Sequence, residues 1–403
     1  GSSKIRGIDT VLGTDPKKVK YKTLGRCFWD WGVFTDVKVT SRERDMELRR
    51  TLKPDLKPEN EFEEIMIENI MNDIPIAVIE GYRESYDNLK KLYRHMPEAV
   101  ITYGSGGTNP GGIVLSWLSE NGVEINSIYK VNDVFMMNQD YIYRNYCIYD
   151  NAYVFFRTGE KGCIRAPMFS YIKPGKPLES YERKYIRWFE RGEFQYRYKA
   201  FQPYLIMDSD YFDSFIRFFL DFASGLSKEK SEVTLFRPRE YDNFGMDRYI
   251  KDVNPDISID YGLMNHKGGG QVGGDISELL YDTALVICET CTTSVLFQAL
   301  ARDIPSIVIT KHTNDENYYS KETLKLQEEM KEMGLLYDDA SKACEFINGC
   351  DDFGRWWNEP DRRRFTDRLT ENYAFHLDDT SNWWVEEIKR MHKKAGNRGR
   401  DNG

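Results

Sequence analysis

The chain contains no apolar run near the roughly 18–20 residues that a membrane-spanning helix needs, and no basic-then-apolar leader opens it. Both absences lead us to expect a cytoplasmic protein. Histidine is scarce, with five in 403 residues, and none stands in an HExxH spacing. GxSxG, P-loop and EF-hand spacings are missing too, so the chain lacks the usual motifs of zinc-protease, serine-hydrolase, Walker-type and calcium-loop chemistry. The seven cysteines are odd in number and irregularly spaced, which fits reduced thiols better than a disulfide framework. Cys288 and Cys291 form a CxxC, but no second pair lies near enough in sequence to complete a zinc site, and no metal is expected. A net charge of −9 argues against a nucleic-acid partner, because phosphate backbones call for a basic surface. No internal repeat or low-complexity tract stands out.

Aromatic residues, by contrast, are abundant at 14%. Such amphipathic rings suit carbohydrate contact, although large cores are their more frequent use. With 40% hydrophobic and 30% charged residues, the composition is globular, and 403 residues favour two domains over one. The first 60 residues are mixed and hold no complete βαβ unit, so the first domain is read as lacking its opening units. Glu59–Asn72 has an amphipathic helical pattern. Apolar strands are then predicted at Ile74–Ile79, Ala99–Tyr103 and Ile125–Val131, with helices through Leu92 and over Gly111–Asn121. This alternation implies a parallel sheet. The register changes after Asp150, where Tyr153–Phe156 and Cys163–Phe169 read as strands and a boundary is placed near Gly159. Leu178–Arg197 reads as a highly charged helix and Asp210–Leu226 as an apolar one. A second alternation follows: strands at Glu232–Phe236, Ile257–Tyr261, Ala284–Cys288 and Ser306–Thr310, helices at Ile276–Tyr281 and Thr293–Ala301. The tail from Asp361 is helical and anchored by tryptophans.

The stretch Leu285–Thr310 carries the most chemical information. A buried strand ends at Cys288, a turn holds Glu289 and Thr290, and a helix begins around Thr292, Thr293 and Ser294. Hydroxyls there cap free N–H groups, and the same N–H groups with the helix dipole favour a phosphate. Capping alone is the plainer reading. Glu289 is placed to hydrogen-bond a ribose. Before it, Asn265-His266-Lys267-Gly268-Gly269-Gly270 forms a glycine-rich loop able to present backbone N–H groups to an anion. Arg237 and Arg239 follow a strand, at the carboxyl edge where open α/β sheets bind ligands, and arginine suits bidentate phosphate contact. In the first domain, Gly104–Gly112 departs from GxGxxG at Asn109, which disfavours a dinucleotide fold. Glu80 closes a strand where a catalytic carboxylate could lie; a structural or solvated role is the plainer one.

Several blocks together give the chain a family likeness: IPIAVIEGYRE (Ile74–Glu84), VITYGSGG (Val100–Gly107), TLFRPREYDNFG (Thr234–Gly245), ETCTTSVLFQALARDIPSIVI (Glu289–Ile309), MGLLYDDASKACEFIN (Met333–Asn348) and WWNEPDRRRF (Trp356–Phe365). In their order and spacing it resembles a family of GT-B-like transferases of bacterial surface-polysaccharide gene clusters, typified by a Leptospira protein. The resemblance implies an α/β fold of two Rossmann-like domains with a cleft between them and a helical tail. Residues 1–158 would form the acceptor-side domain, 159–378 the nucleotide-donor domain and 379–403 the tail. It implies sugar transfer from a nucleotide-activated donor to a capsule or O-antigen acceptor, without metal or other cofactor, by a protein peripherally associated with membrane-bound synthesis machinery. Arg237, Arg239, His266, Gly269, Glu289, Thr290, Thr292, Thr293 and Ser294 would face the donor. One element departs: relatives carry His-Gly-Gly after the strand at Ile125–Val131, where this chain has Tyr129-Lys130-Val131-Asn132-Asp133. That leaves Asp133 or Glu80 as the candidate base. Two alternatives stay open, an alditol-phosphate or other phosphoryl-group transferase, and a non-catalytic relative that binds glycan or a partner.

Overall fold

The computed structural model describes residues 43–52, 57–92 except 75 and 77, 99–103, 109–128, 150–157 except 156, 163–167, 182–190, 209–238, 245–261, 276–311, 319–377 and 379–401. Among the described residues, three helices come first: α1 (Met46–Thr51), α2 (Glu61–Asp73) and α3 (Tyr82–Leu92). Next come β1 (Ala99–Tyr103), α4 (Asn109–Glu120), β2 (Glu124–Ile128), β3 (Asn151–Val154) and β4 (Cys163–Arg165). The four strands form one parallel sheet in chain order. Its apolar residues alternate between two faces, as the period of two demands. Val100 and Ile125 pack under Leu89 of α3 and Val114, Leu115 and Leu118 of α4. Ile101, Ile128, Tyr153 and Ile164 face the other way.

The second sheet has six parallel strands: β5 (Tyr185–Phe189), β6 (Thr234–Arg237), β7 (Ser258–Ile259), β8 (Thr283–Cys288), β9 (Ser306–Ile309) and β10 (Leu336–Tyr337). Their spatial order is β10-β9-β8-β5-β6-β7. Counted within this unit the order is 3-2-1-4-5-6, that of a doubly wound sheet, and its direction of growth reverses between β5 and β8. One face is covered by α5 (Ser209–Gly225), α7 (Met246–Val253) and α11 (Ala340–Gly349). In α5, Phe215, Phe218, Phe219 and Phe222 recur at helical spacing, which turns four rings onto the sheet. The opposite face carries α9 (Ser294–Leu300), α10 (Lys321–Glu332) and α13 (Pro360–Tyr373). Shorter helices α6 (Lys228–Glu232), α8 (Ile276–Leu279) and α12 (Phe353–Trp357) complete this part, and α14 (Thr380–Asp401) follows it.

Both parallel α/β units expected from the sequence are present, with three corrections. Leu178–Arg197 is not one helix: its middle is β5, the strand at the centre of the second sheet. Ile74–Ile79 contributes no strand among its described residues, which form turns, with the Gly81 amide donating to the Ile76 carbonyl at 2.8 Å. The boundary expected at 158–159 falls too early, since β4 pairs with β3 in the first sheet. The tail α14 also returns to that sheet. Trp384 and Met391 pack with Ile128, Tyr153 and Phe155, the Trp384 indole donates to the Pro167 carbonyl at 3.0 Å, and the Tyr153 hydroxyl donates to Glu387 at 2.6 Å.

The junction of α5 and α11 is tight. A methyl group on Gly225 would stand 2.7 Å from Cys344 Sγ and 3.3 Å from its Cβ, and the thiol donates to the Phe222 carbonyl at 3.2 Å. Gly225→Ala should therefore lower stability by about 1–3 kcal/mol through overpacking, seen as a lower urea midpoint. Adding Cys344→Ala should recover part of the loss; no recovery would place the clash elsewhere.

Candidate donor site at the sheet reversal

The carboxyl ends of β6, β5 and β8 lie level, because Phe189 is in register with Arg237 on one side and Cys288 on the other. This row borders the reversal point, where open α/β sheets bind ligands beyond their strand ends. Arg237, expected just beyond a strand ending at Phe236, is itself the last residue of β6. The turn expected after β8 is also present, and Thr293 caps α9 by accepting from the Val295 amide.

The turn itself is closed more tightly than expected. Trp188 is fully buried among Phe219, Phe222 and Phe236, with ring centroids 4.7–5.7 Å away. Its indole N–H cannot stay unpaired in such surroundings, and it donates to Glu289 Oε1 at 3.0 Å. Glu289 is only 2% exposed, so the structure turns the expected ribose ligand into the core. The Thr290 and Thr292 hydroxyls lie 3.1 Å apart and share one hydrogen bond, and the Thr292 amide donates to Thr290 Oγ1 at 3.3 Å. Both residues are buried, as is Cys291, which accepts from Gln327 Nε2. Burial and the neighbouring Glu289 charge push the Cys288 thiol far up, so it stays protonated. Only Thr293 and Ser294 of this group are half-exposed, and α9 is seven residues long. The Thr292 amide is thus engaged by Thr290 within the turn.

What sequence reasoning missed lies on the other side of β5. Arg187 is buried in the strand and donates to Asp282 at 3.0 Å, Asp260 at 3.1 Å and Thr283 at 3.1 Å. Arg237 reaches the same Asp260 oxygen at 3.4 Å. A basic residue inside a charged stretch gives no hint of this, and the four charges meet through the pairing of β5 with β6 and β8 and of β6 with β7. Asp260 continues β7, its amide donating to the Phe236 carbonyl at 2.8 Å.

Glu80 is corrected outright. Both of its oxygens are held by Arg49, Oε1 by Nε at 2.6 Å and Oε2 by Nη2 at 2.8 Å, and the Asp45 amide adds a third bond at 2.8 Å. The Arg49 hydrogen bonds draw its pKa down from 4.5 to about 2, against the opposing effect of burial. With both oxygens committed to Arg49, the structure gives Glu80 the place of a structural ion-pair partner. Asp133, Arg239, His266 and Gly269 lie outside the described residues.

Comparison with known proteins decides the family. The LIC12162 family transferase pattern matches residues 147–388, more than half of the chain. The chain belongs to that family. The match takes in β3 and β4, the whole second sheet and the start of α14, so the reversal point lies inside it. No curated protein matches the chain in sequence. Solved structures similar in architecture include S. aureus MnaA with UDP (9% identity, TM-score 0.43, covering 78% of this chain and 81% of that one). Another is the Neisseria meningitidis UDP-GlcNAc 2-epimerase bound to UDP-GlcNAc (9%, 0.42, 82% and 90%). A third is Acinetobacter baumannii MurG (9%, 0.39, 77% and 78%). Among the described residues, no helix is long and apolar enough to cross a membrane.

Proposed function

We propose that this member of a transferase family is a GT-B-type glycosyltransferase, moving a sugar from a nucleotide-activated donor to a surface polysaccharide. The observation that carries the reading is the strand order of the second sheet. Open α/β sheets bind ligands beyond the strand ends at such a reversal, here between β5 and β8, and Arg237 ends the neighbouring strand β6, which supports the reading. The surface-polysaccharide acceptor rests on the family resemblance of the sequence. A guanidinium can neutralise the diphosphate that leaves when the glycosidic bond of the donor breaks, so the residues at hand could stabilise the leaving group electrostatically.

Titration calorimetry of the full chain with UDP, GDP, CDP and CMP tests this. Binding of at least one nucleotide is expected, with Arg237→Ala weakening it about tenfold, the worth of one charge-assisted contact of about 1.4 kcal/mol. Mass analysis of product formed from a donor mixture should then show an added sugar. An added phosphodiester would replace sugar transfer with phosphoryl-group transfer, and no binding to any nucleotide would overturn the reading.

A further inference from the structure

The arrangement around Asp260 says more about Arg237 than its position alone. An arginine has five N–H donors, and a structural ion pair normally uses two of them as a fork. Arg237 uses one: Nη1 reaches Asp260 Oδ2 at 3.4 Å. Among the described residues no other group bonds this side chain, although only 14% of it is exposed. Such a guanidinium is largely withdrawn from water without being fully paired. The same oxygen is held more closely, at 3.1 Å, by Arg187, which Asp282 and Thr283 fix from the other end of the sheet. Asp260 is thus fastened on the Arg187 side and loosely applied on the Arg237 side.

We propose that Asp260 acts as a latch: its carboxylate holds the Arg237 guanidinium at the strand end until a diphosphate displaces it, while Arg187 keeps the carboxylate in place. The inference rests on the donor reading above. A diphosphate carries more charge than the single oxygen now facing Arg237 and can take two parallel N–H bonds from it. The exchange is therefore favourable on the arginine side, and the cost is the lost Asp260 contact. Arg187 limits that cost because Asp260 remains paired after Arg237 leaves. Asp260 is a positioning residue in this scheme and does not touch the donor.

The test compares the full chain with Asp260→Asn and Asp260→Glu, using UDP and inorganic pyrophosphate as probes in calorimetry, with melting temperatures measured in parallel. Asparagine keeps an acceptor for Arg187 but removes the competing charge, so affinity should rise about fivefold, the equivalent of one partly exposed ion pair. The melting temperature should fall at the same time. Glutamate keeps the charge on a longer arm, grips Arg237 more closely and should lower affinity. Adding Arg237→Ala to Asp260→Asn should cancel the gain. Asp260→Glu covers the case in which the asparagine variant fails to fold. If the wild-type chain binds and neither substitution shifts affinity in its stated direction, the latch fails alone. If wild type and both variants bind neither probe, the donor reading falls and the latch falls with it.

Discussion

Replacing Trp188 with alanine should lower the free energy of unfolding by about 4 kcal/mol, the usual loss for a large aromatic truncated in a core. The ring stands fully buried in β5, edge-on to Phe222 and Phe236 and covered by α5. Its removal opens a cavity at the centre of the second sheet. A subtler substitution separates packing from polarity. Trp188→Phe keeps much of the apolar volume but withdraws the N–H from Glu289, which is 2% exposed. Leaving that acceptor without its indole should cost about 1–3 kcal/mol. Glu289→Gln, whose amide oxygen still accepts, should cost less than Trp188→Phe. Urea unfolding of the three variants provides the comparison. A neutral Trp188→Phe would mean that Glu289 does not depend on the indole, and its place as a ribose ligand would reopen.

Arg49→Met should be nearly as damaging, at about 3–5 kcal/mol, because it strips the partner from a buried carboxylate. Arg49 is 1% exposed and links three segments: it pairs with Glu80 and donates to the Met71 and Ile74 carbonyls. Methionine fills the space but satisfies none of these acceptors. The pair also sets an acid limit. The folded pKa of Glu80, about 2, lies below its ordinary 4.5, so the unfolded chain takes up the proton more readily. The stability contributed by the pair is complete above about pH 4.5 and is lost as the pH falls toward 2. Glu80→Gln should therefore destabilise the protein at pH 7 and lose less than wild type between pH 4.5 and 3. Equal acid losses in the two proteins would show that Glu80 does not set this limit.

The sequence exposes the second sheet unevenly, and the reasons are physical. The segment from Thr283 to Ile309 is legible because it is short, apolar and punctuated: strand, hydroxyl-rich turn, helix, strand, each in its own period. β5 is hidden because a central parallel strand normally reads as a continuous apolar run, whereas this one carries Arg187 between Ile186 and Trp188 and is flanked by charges. The cost of burying that arginine is met by Asp260 and Asp282, residues 73 and 95 positions away in sequence. The turn after β8 illustrates the reverse problem. Its position is legible, but the orientation of Glu289 depends on an indole N–H in β5, a strand the sequence does not announce. Glu80 failed similarly, since its partner Arg49 lies 31 residues earlier, in a charged stretch without a strong pattern. Arg237 was legible because a strand end is a local feature.

The return of α14 to the first sheet has a consequence for biosynthesis. Domains emerging from a ribosome tend to fold in order of synthesis, but here the apolar face formed by Ile101, Ile128 and Tyr153 waits for Trp384 and Met391. More than two hundred residues must be translated between Tyr153 and its partner Glu387. The first sheet is thus completed by a segment that follows the whole second sheet in the chain, and its face stays uncovered until α14 has been made.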